Sequence, residues 1–249
     1  MDVLTNERTT SDRVIRDVRD LRLSFVNAET MKKQAFYNKH DWIEFADCWN
    51  NLKLDSYMGD KGTYRLRRYG MFKYISSAGT IELQPHTAYS QPGYVNVLNG
   101  DIERHYEPLE TRFVSNPFFN GLMIWISQAL NHLENQTGDW EIRILPNRIL
   151  AKQGIAGEPT PEGHHRDGVD YVTTLLANRH NVEGGETLFT SNDGKELFRQ
   201  TLKCPLDFLI ANDEQTMHGV TSICRKNDEE EGYRDMLISM FTRPLATVS

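Results

Sequence analysis

The chain has 249 residues, 39% of them hydrophobic, 25% charged and 10% aromatic, with a formal net charge of −7. That composition excludes disordered, collagen-like and coiled-coil classes, and the acidic balance speaks against a nucleic-acid binder, which would show a basic face. No run of about 18 apolar residues occurs, so no membrane-spanning helix is expected. The first residues are polar and mixed in charge, which gives no sign of a secretory leader and points to the cytoplasm. Ser11 and Asp12 can cap a helix in which Val14, Ile15, Val18, Leu21 and Phe25 recur at helical spacing. A second amphipathic stretch follows from about Ala35, with Phe36, Trp42, Phe45, Ala46 and Trp49. The run from Tyr64 to Tyr74 is rich in aromatic and basic residues and suits a strand, while the stretch from Glu82 to Gly100 holds Pro85, Pro92, Gly93 and Gly100 and has no strong period. Asn116 caps a third helix with Pro117 in its first turn, extending to about residue 136. Beyond Gly138 the helical period gives way to alternation at Trp140, Ile142 and Ile144, and then to short strand-like runs at 169–177, 186–190, 205–211, 216–222 and 234–242. The acidic run Asp228–Glu231 reads as a solvated loop before the last strand.

Three scattered cysteines, Cys48, Cys204 and Cys224, form neither a zinc pattern nor a disulfide framework. A metal site must therefore be built from imidazole and carboxylate. His165 and Asp167, at the start of a strand, place both side chains on one face, because strand side chains alternate with period two. They supply two of the three ligands of a two-His-one-carboxylate facial triad. His218, on a later predicted strand, is the candidate third ligand. A His-x-Asp pair alone is a weak signal, as is a lone strand histidine. On the last strand Arg234, Met236, Ile238 and Met240 share one face, and an arginine among inward apolar neighbours wants a carboxylate partner. That partner is either a bound dicarboxylate or, in the plainer reading, an ordinary salt bridge.

His165, Asp167, His218 and Arg234, in this order on a β-rich C-terminal segment, resemble the Fe(II)/2-oxoglutarate-dependent dioxygenases. Glu183-Gly184-Gly185-Glu186-Thr187 adds to the match. Arg65, Arg67 and Tyr69, Phe113 with Asn116-Pro117, and Arg148 resemble the bacterial free-amino-acid hydroxylases of the isoleucine type, over roughly residues 60–243. The resemblance implies an α+β fold: a double-stranded β-helix (jelly roll, cupin-like) with N-terminal helices packed on the outside. It is expected as one domain over 1–249, with 1–60 as helical support and 61–249 as the jelly-roll core carrying the inserted helix at about 117–136. It also implies Fe(II) held by His165, Asp167 and His218, with 2-oxoglutarate and O2 as co-substrates and ascorbate as an accessory reductant. The distal carboxylate of 2-oxoglutarate would pair with Arg234.

Where some relatives carry a hydroxyl two residues after that arginine, this chain has Met236, so a second anchor must come from another strand. Arg148 is a candidate for it or for the substrate carboxylate, with a structural arginine as the competing reading. Arg65, Arg67 and Tyr69 are further candidates for a carboxylate clamp. Asp170 and Glu158 are weak candidates for an α-ammonium partner, and Phe72, Tyr74, Tyr89 and Tyr94 for apolar walls, although core packing explains them equally well. The expected activity is hydroxylation of a free L-amino acid or close derivative, a small-molecule substrate. The alternatives are an oxygenase acting on a protein side chain or carrier-bound amino acid, and a non-catalytic cupin-like metal-binding sensor. Oligomeric state is not legible from the sequence.

Overall fold

A computed structural model describes residues 9–93 and 100–244. Helix α1 (Thr10–Leu21) opens on a capping box in which the Thr9 hydroxyl accepts the Asp12 amide and the Asp12 carboxylate accepts the Thr9 amide. The cap is thus Thr9 rather than Ser11 or Asp12. Val14 and Val18 are its buried stripe, and Arg22, in the left-handed region at φ 72°, ends it. The chain then turns into strand β1 (Leu23–Val26). Phe25 continues the helical spacing in sequence but lies beyond that turn, so it belongs to a strand. The first sixty residues are therefore not purely helical.

Helices α2 (Ala28–Met31) and α3 (Lys39–Asp47), a 3-10 turn and the short strands β2 (Lys53–Leu54) and β3 (Arg65–Arg67) follow. Next come β4 (Gly70–Ile75) and β5 (Thr80–Leu83), so the expected strand at 64–74 is two strands. After the described segments 84–93 and 100–110 come α4 (Thr111–Val114) and α5 (Pro117–Leu133). The Asn116 side chain accepts the Phe119 amide and Pro117 sits in the first turn, as the sequence indicates.

The strands β6 (Trp140–Ala151), β7 (Tyr171–His180), β8 (Val182–Gly184), β9 (Glu186–Ser191) and β10 (Glu196–Thr201) succeed one another. The series ends with β11 (Phe208–Asn212), β12 (Thr216–Val220), β13 (Ile223–Arg225) and β14 (Gly232–Thr242). Asp228–Glu231 is the exposed connection before β14. Among the described residues no helix is long and apolar enough to cross a membrane.

The larger sheet runs β1-β11-β7-β14-β6-β3-β2, with β4 also on β6 and β5 on β4; the smaller ones are β10-β9-β12 and β13-β8, all antiparallel. Period two assigns the large sheet two faces. Trp140, Ile142 and Ile144 of β6 and Leu237 and Phe241 of β14 join Phe45, Phe118, Phe119 and Leu122 of α3 and α5 in one buried core. Each such aromatic or aliphatic side chain contributes about 1.5–3 kcal/mol of burial free energy. Leu145, Val172, Leu176, Met236 and Met240 line the other face and pack with Phe189 of the smaller sheet. The α+β class is as expected: a jelly roll with helices outside the larger sheet and an enclosed space between the sheets.

Candidate active site

His165 and His218 meet across an isolated antiparallel bridge, each amide donating to the other's carbonyl at 2.9 and 2.8 Å. Their rings stand 4.5 Å apart. Asp167 completes the group: its carboxylate oxygens lie 3.9 Å from His165 Nε2 and 3.6 Å from His218 Nε2. One donor atom from each residue falls within 4.8 Å of the others. The His-x-Asp does not begin a strand, because β7 opens only at Tyr171. A turn with Gly168 at φ 74° separates the two, and the bridge to β12 orients His165 instead.

His165 Nδ1–H donates to the Gly163 carbonyl at 3.0 Å, which leaves Nε2 as the free lone pair facing Asp167. Phe189 stacks on His218 at 5.3 Å. Burial, then the neighbouring His165, pushes the His218 imidazole down to about 3, so it is a neutral donor. Burial raises the Asp167 carboxyl. Burial would lower His165, but Asp167 and Glu162 outweigh it and hold it above its ordinary value. Two imidazoles and one carboxylate are the donor set that suits non-haem Fe(II) with positions left open.

Asp213, which nothing in the sequence marks, shapes this turn. Fully buried, its carboxylate accepts the amides of Asp167 at 3.0 Å, Gly168 at 2.8 Å and Val169 at 3.1 Å. Asp213→Ala leaves three N–H groups without this partner, of which that of Val169 is buried, so a loss of about 1–3 kcal/mol in a urea melt is expected. A fall of roughly ten- to a hundredfold in metal affinity should accompany it. Metal affinity equal to wild type in a metal titration would show that the turn does not position Asp167.

Arg234 points to the inner face with Met236, Ile238 and Met240, as the alternation predicts, and is buried to 3% exposure. It makes no salt bridge: among the described residues no carboxylate approaches it, and its Nε is buried without a partner. Burial, and then Arg179, pushes its guanidinium below its ordinary value. Thr187 Oγ1, Thr174 Oγ1, Asn147 Oδ1 and His218 Nδ1 are also buried without partners. Asn147 and His218 among these line the cavity at the triad, where unpartnered polar atoms suit a polar ligand. Gly185, at φ 68°, stays out of the way: a Cβ there would come within 3.3 Å of Arg234 Cδ.

A cavity of about 70 Å³ opens on the triad, walled by Arg65, Arg67, Arg104, Gln91, Asn147 and Glu162. A wider recess of about 550 Å³ shares Glu162 and His165 with it. Arg65 Nη2 and Arg67 Nε reach one oxygen of buried Asp55 at 2.8 and 3.2 Å. Burial would raise the Asp55 carboxyl, but Arg67 and Arg65 outweigh it and hold it below the usual carboxylate range. Arg104, 2% exposed, lies 4.5 Å over the Tyr89 ring, donates to Gln91 Oε1 at 3.1 Å and keeps a buried Nε without a partner. Gln91 in turn donates to the Asp167 carbonyl at 3.3 Å.

Several candidates lie elsewhere. Arg148 clasps Asp235 with two bonds of 2.7 Å and stacks over Tyr233 at 4.1 Å. In register it opposes Asp235, whereas Arg234 opposes Ile149, so Arg148 is on the face turned away from the triad. Tyr69 supports the site from behind, edge-on to Tyr89 at 5.1 Å. Phe72 and Tyr74 belong to the helix-facing core and wall no cavity near the triad; Tyr94 lies outside the described residues. Asp170 is engaged by Arg243 at 2.8 Å and Glu158 by Ser222 at 2.7 Å. The acid that faces the cavity is Glu162, 3.4 Å from His165 Nε2. His164, next to the triad, packs against Gly219 instead. The short sequence spacing around the triad could have flagged Glu162. Nothing local distinguishes Asp55, Gln91 or Arg104.

A family model described as 2OG-Fe dioxygenase matches residues 46–240. The crystal structure of a bsmA homolog from Methylobium petroleophilum PM1 has a TM-score of 0.87 at 29% identity, covering 94% of this chain and 93% of that one. The Fe(II)/(alpha)ketoglutarate-dependent dioxygenase TqaL shares the fold, with a TM-score of 0.74 at 17% identity, over 95% and 88% of the two chains. The bifunctional enzyme flvA of Aspergillus flavus is 23% identical over 206 residues, 73% of this chain and 25% of that protein. The chain thus spans about a quarter of the length of the curated relative it matches.

Proposed function

Because the chain belongs to the 2OG-Fe dioxygenase family, which uses Fe(II), 2-oxoglutarate and O2, we propose that it hydroxylates an unactivated C–H bond of a free L-amino acid or close derivative. His165, Asp167 and His218 hold the iron through Nε2, a carboxylate oxygen and Nε2, and Arg234 takes the distal carboxylate of 2-oxoglutarate. Held there, Fe(II), 2-oxoglutarate and O2 would supply the oxidising power, the oxo acid ending as succinate and CO2. The protein's own part is to bind, orient and exclude water. Gly163 and Asp213 fix the ligand geometry, and the unpartnered polar atoms between the sheets receive the co-substrate.

One observation carries the substrate class. Three buried guanidiniums, Arg65, Arg67 and Arg104, line the cavity at the triad, while among the described residues Asp55 is the single carboxylate in an ion pair with any of them. Buried cations in excess of their anions call for an anionic group from outside, and a guanidinium fork matches a carboxylate. Glu162, which lines the same cavity, suits an ammonium. The recess of about 550 Å³ beside the triad suits a small molecule. We read the chain as one catalytic unit working in the cytoplasm.

The test is incubation with Fe(II), ascorbate, 2-oxoglutarate and pooled L-amino acids, followed by mass spectrometry. The expected result is succinate together with a product heavier by one oxygen atom. Succinate release that no amino acid stimulates, with no oxygenated product, would sink the substrate assignment.

A further inference from the structure

Arg179 and Arg234 are direct partners across the antiparallel pair β7–β14. Plain continuation of the register from Leu176↔Met236 would put Asn178 opposite Arg234, but the register shifts between Asp235 and Met236, with Ala177 as the extra residue. The result is two like charges facing each other on adjacent strands, an arrangement that is repulsive by itself. Neither guanidinium has a carboxylate partner among the described residues. Arg179 donates through Nη2 to the carbonyls of Val182 at 3.2 Å and Gly184 at 2.7 Å, which fixes its plane. Its Nη1, like Arg234 Nε, is buried without a partner. Both arms flank one glycine: a Cβ on Gly185 would lie 3.1 Å from Arg179 Nη1 and 3.3 Å from Arg234 Cδ.

We propose that Arg179 is the second anchor of 2-oxoglutarate, gripping its distal carboxylate together with Arg234. This rests on the reading of Arg234 given above and deepens it: the position two residues after Arg234 is Met236, and the missing donor comes from the facing strand. A carboxylate between the two guanidiniums cancels their repulsion and satisfies nitrogens that the fold leaves bare. The co-substrate pocket then selects a distal anion by two cations and needs no hydroxyl beside Arg234.

The experiment titrates 2-oxoglutarate and 2-oxopentanoate, which lacks the distal carboxylate, into the anaerobic Fe(II)-loaded protein by calorimetry. Wild type should bind 2-oxoglutarate far more tightly. In Arg179→Met its Kd should rise roughly tenfold or more, while the Kd of 2-oxopentanoate stays unchanged. Arg179→Lys keeps a charge and a donor for the Val182 and Gly184 carbonyls, so it should fold as wild type and fall between. An unchanged 2-oxoglutarate Kd in both variants, or an equal rise for both oxo acids, would overturn the anchor. A wild type that does not prefer 2-oxoglutarate would overturn the Arg234 reading, and this proposal with it.

Discussion

Asp167→Ala is expected to abolish 2-oxoglutarate-dependent succinate release and to weaken Fe(II) binding by more than about a hundredfold. Loss of a residue that merely supports a ligand already costs roughly ten- to a hundredfold, and Asp167 is the triad's own carboxylate. The fold should survive. The bonds that hold the turn run from the backbone amides of 167, 168 and 169 to Asp213 and do not involve the Asp167 side chain. Burial also raises the Asp167 carboxyl, so removing it relieves a cost in the metal-free protein. The nearest replacement ligand is Glu162, 3.4 Å from His165 Nε2. Any residual iron in Asp167→Ala should therefore disappear in the double variant with Glu162→Gln. Metal content after gel filtration, with thermal unfolding alongside, decides the matter. A well-folded Asp167→Ala protein that retains stoichiometric iron and wild-type succinate output would remove Asp167 from the site.

Arg234→Met should make the ligand-free protein more stable and at the same time nearly blind to 2-oxoglutarate. Arg234 is a buried cation with no anion among the described residues and with Arg179 opposite it. Replacing buried ionic groups by an apolar side chain of similar length is often stabilising by about 1–4 kcal/mol. For a chain of this size that is a rise of several degrees in Tm, at about 2–4 °C per kcal/mol. Binding moves the other way. Removing one partner of a buried charge pair costs about 3–5 kcal/mol, so the Kd for 2-oxoglutarate should rise at least about a hundredfold. Thermal unfolding with and without 2-oxoglutarate reads both effects in one experiment. A lower Tm for the ligand-free variant would mean that Arg234 has a stabilising role in the free fold, and the orphaned-cation account would fail.

How much of this was legible beforehand depends on the range over which each residue is positioned. On β14 the inward set Arg234, Met236, Ile238 and Met240 follows from alternation within one strand, and the structure places it so. His165, Asp167 and His218 were readable as a group by residue type, and they converge, but through a bridge and an Asp213-held turn and not along a strand. Arg148 shows the limit. Its face depends on the parity of β6 relative to β14, which a single sequence does not state. Arg104, Gln91 and Asp55 reach the site from the segments 84–93 and 100–110 and from the chain between β2 and β3, by contacts across most of the fold. Phe25 fell in the wrong element because one left-handed residue, Arg22, interrupts a spacing that otherwise reads as continuous helix.

The extra residue at Ala177 acts as a one-letter selector. The same β7 side chains, counted one step differently, would offer Arg234 an amide instead of a second cation, so the pair of facing guanidiniums would become a single one without any change in residue type. Insertion or deletion at this position is therefore a short route by which a jelly roll of this kind could trade a dicarboxylate for a monocarboxylate oxo acid. The metal ligands, set on another turn, would not move.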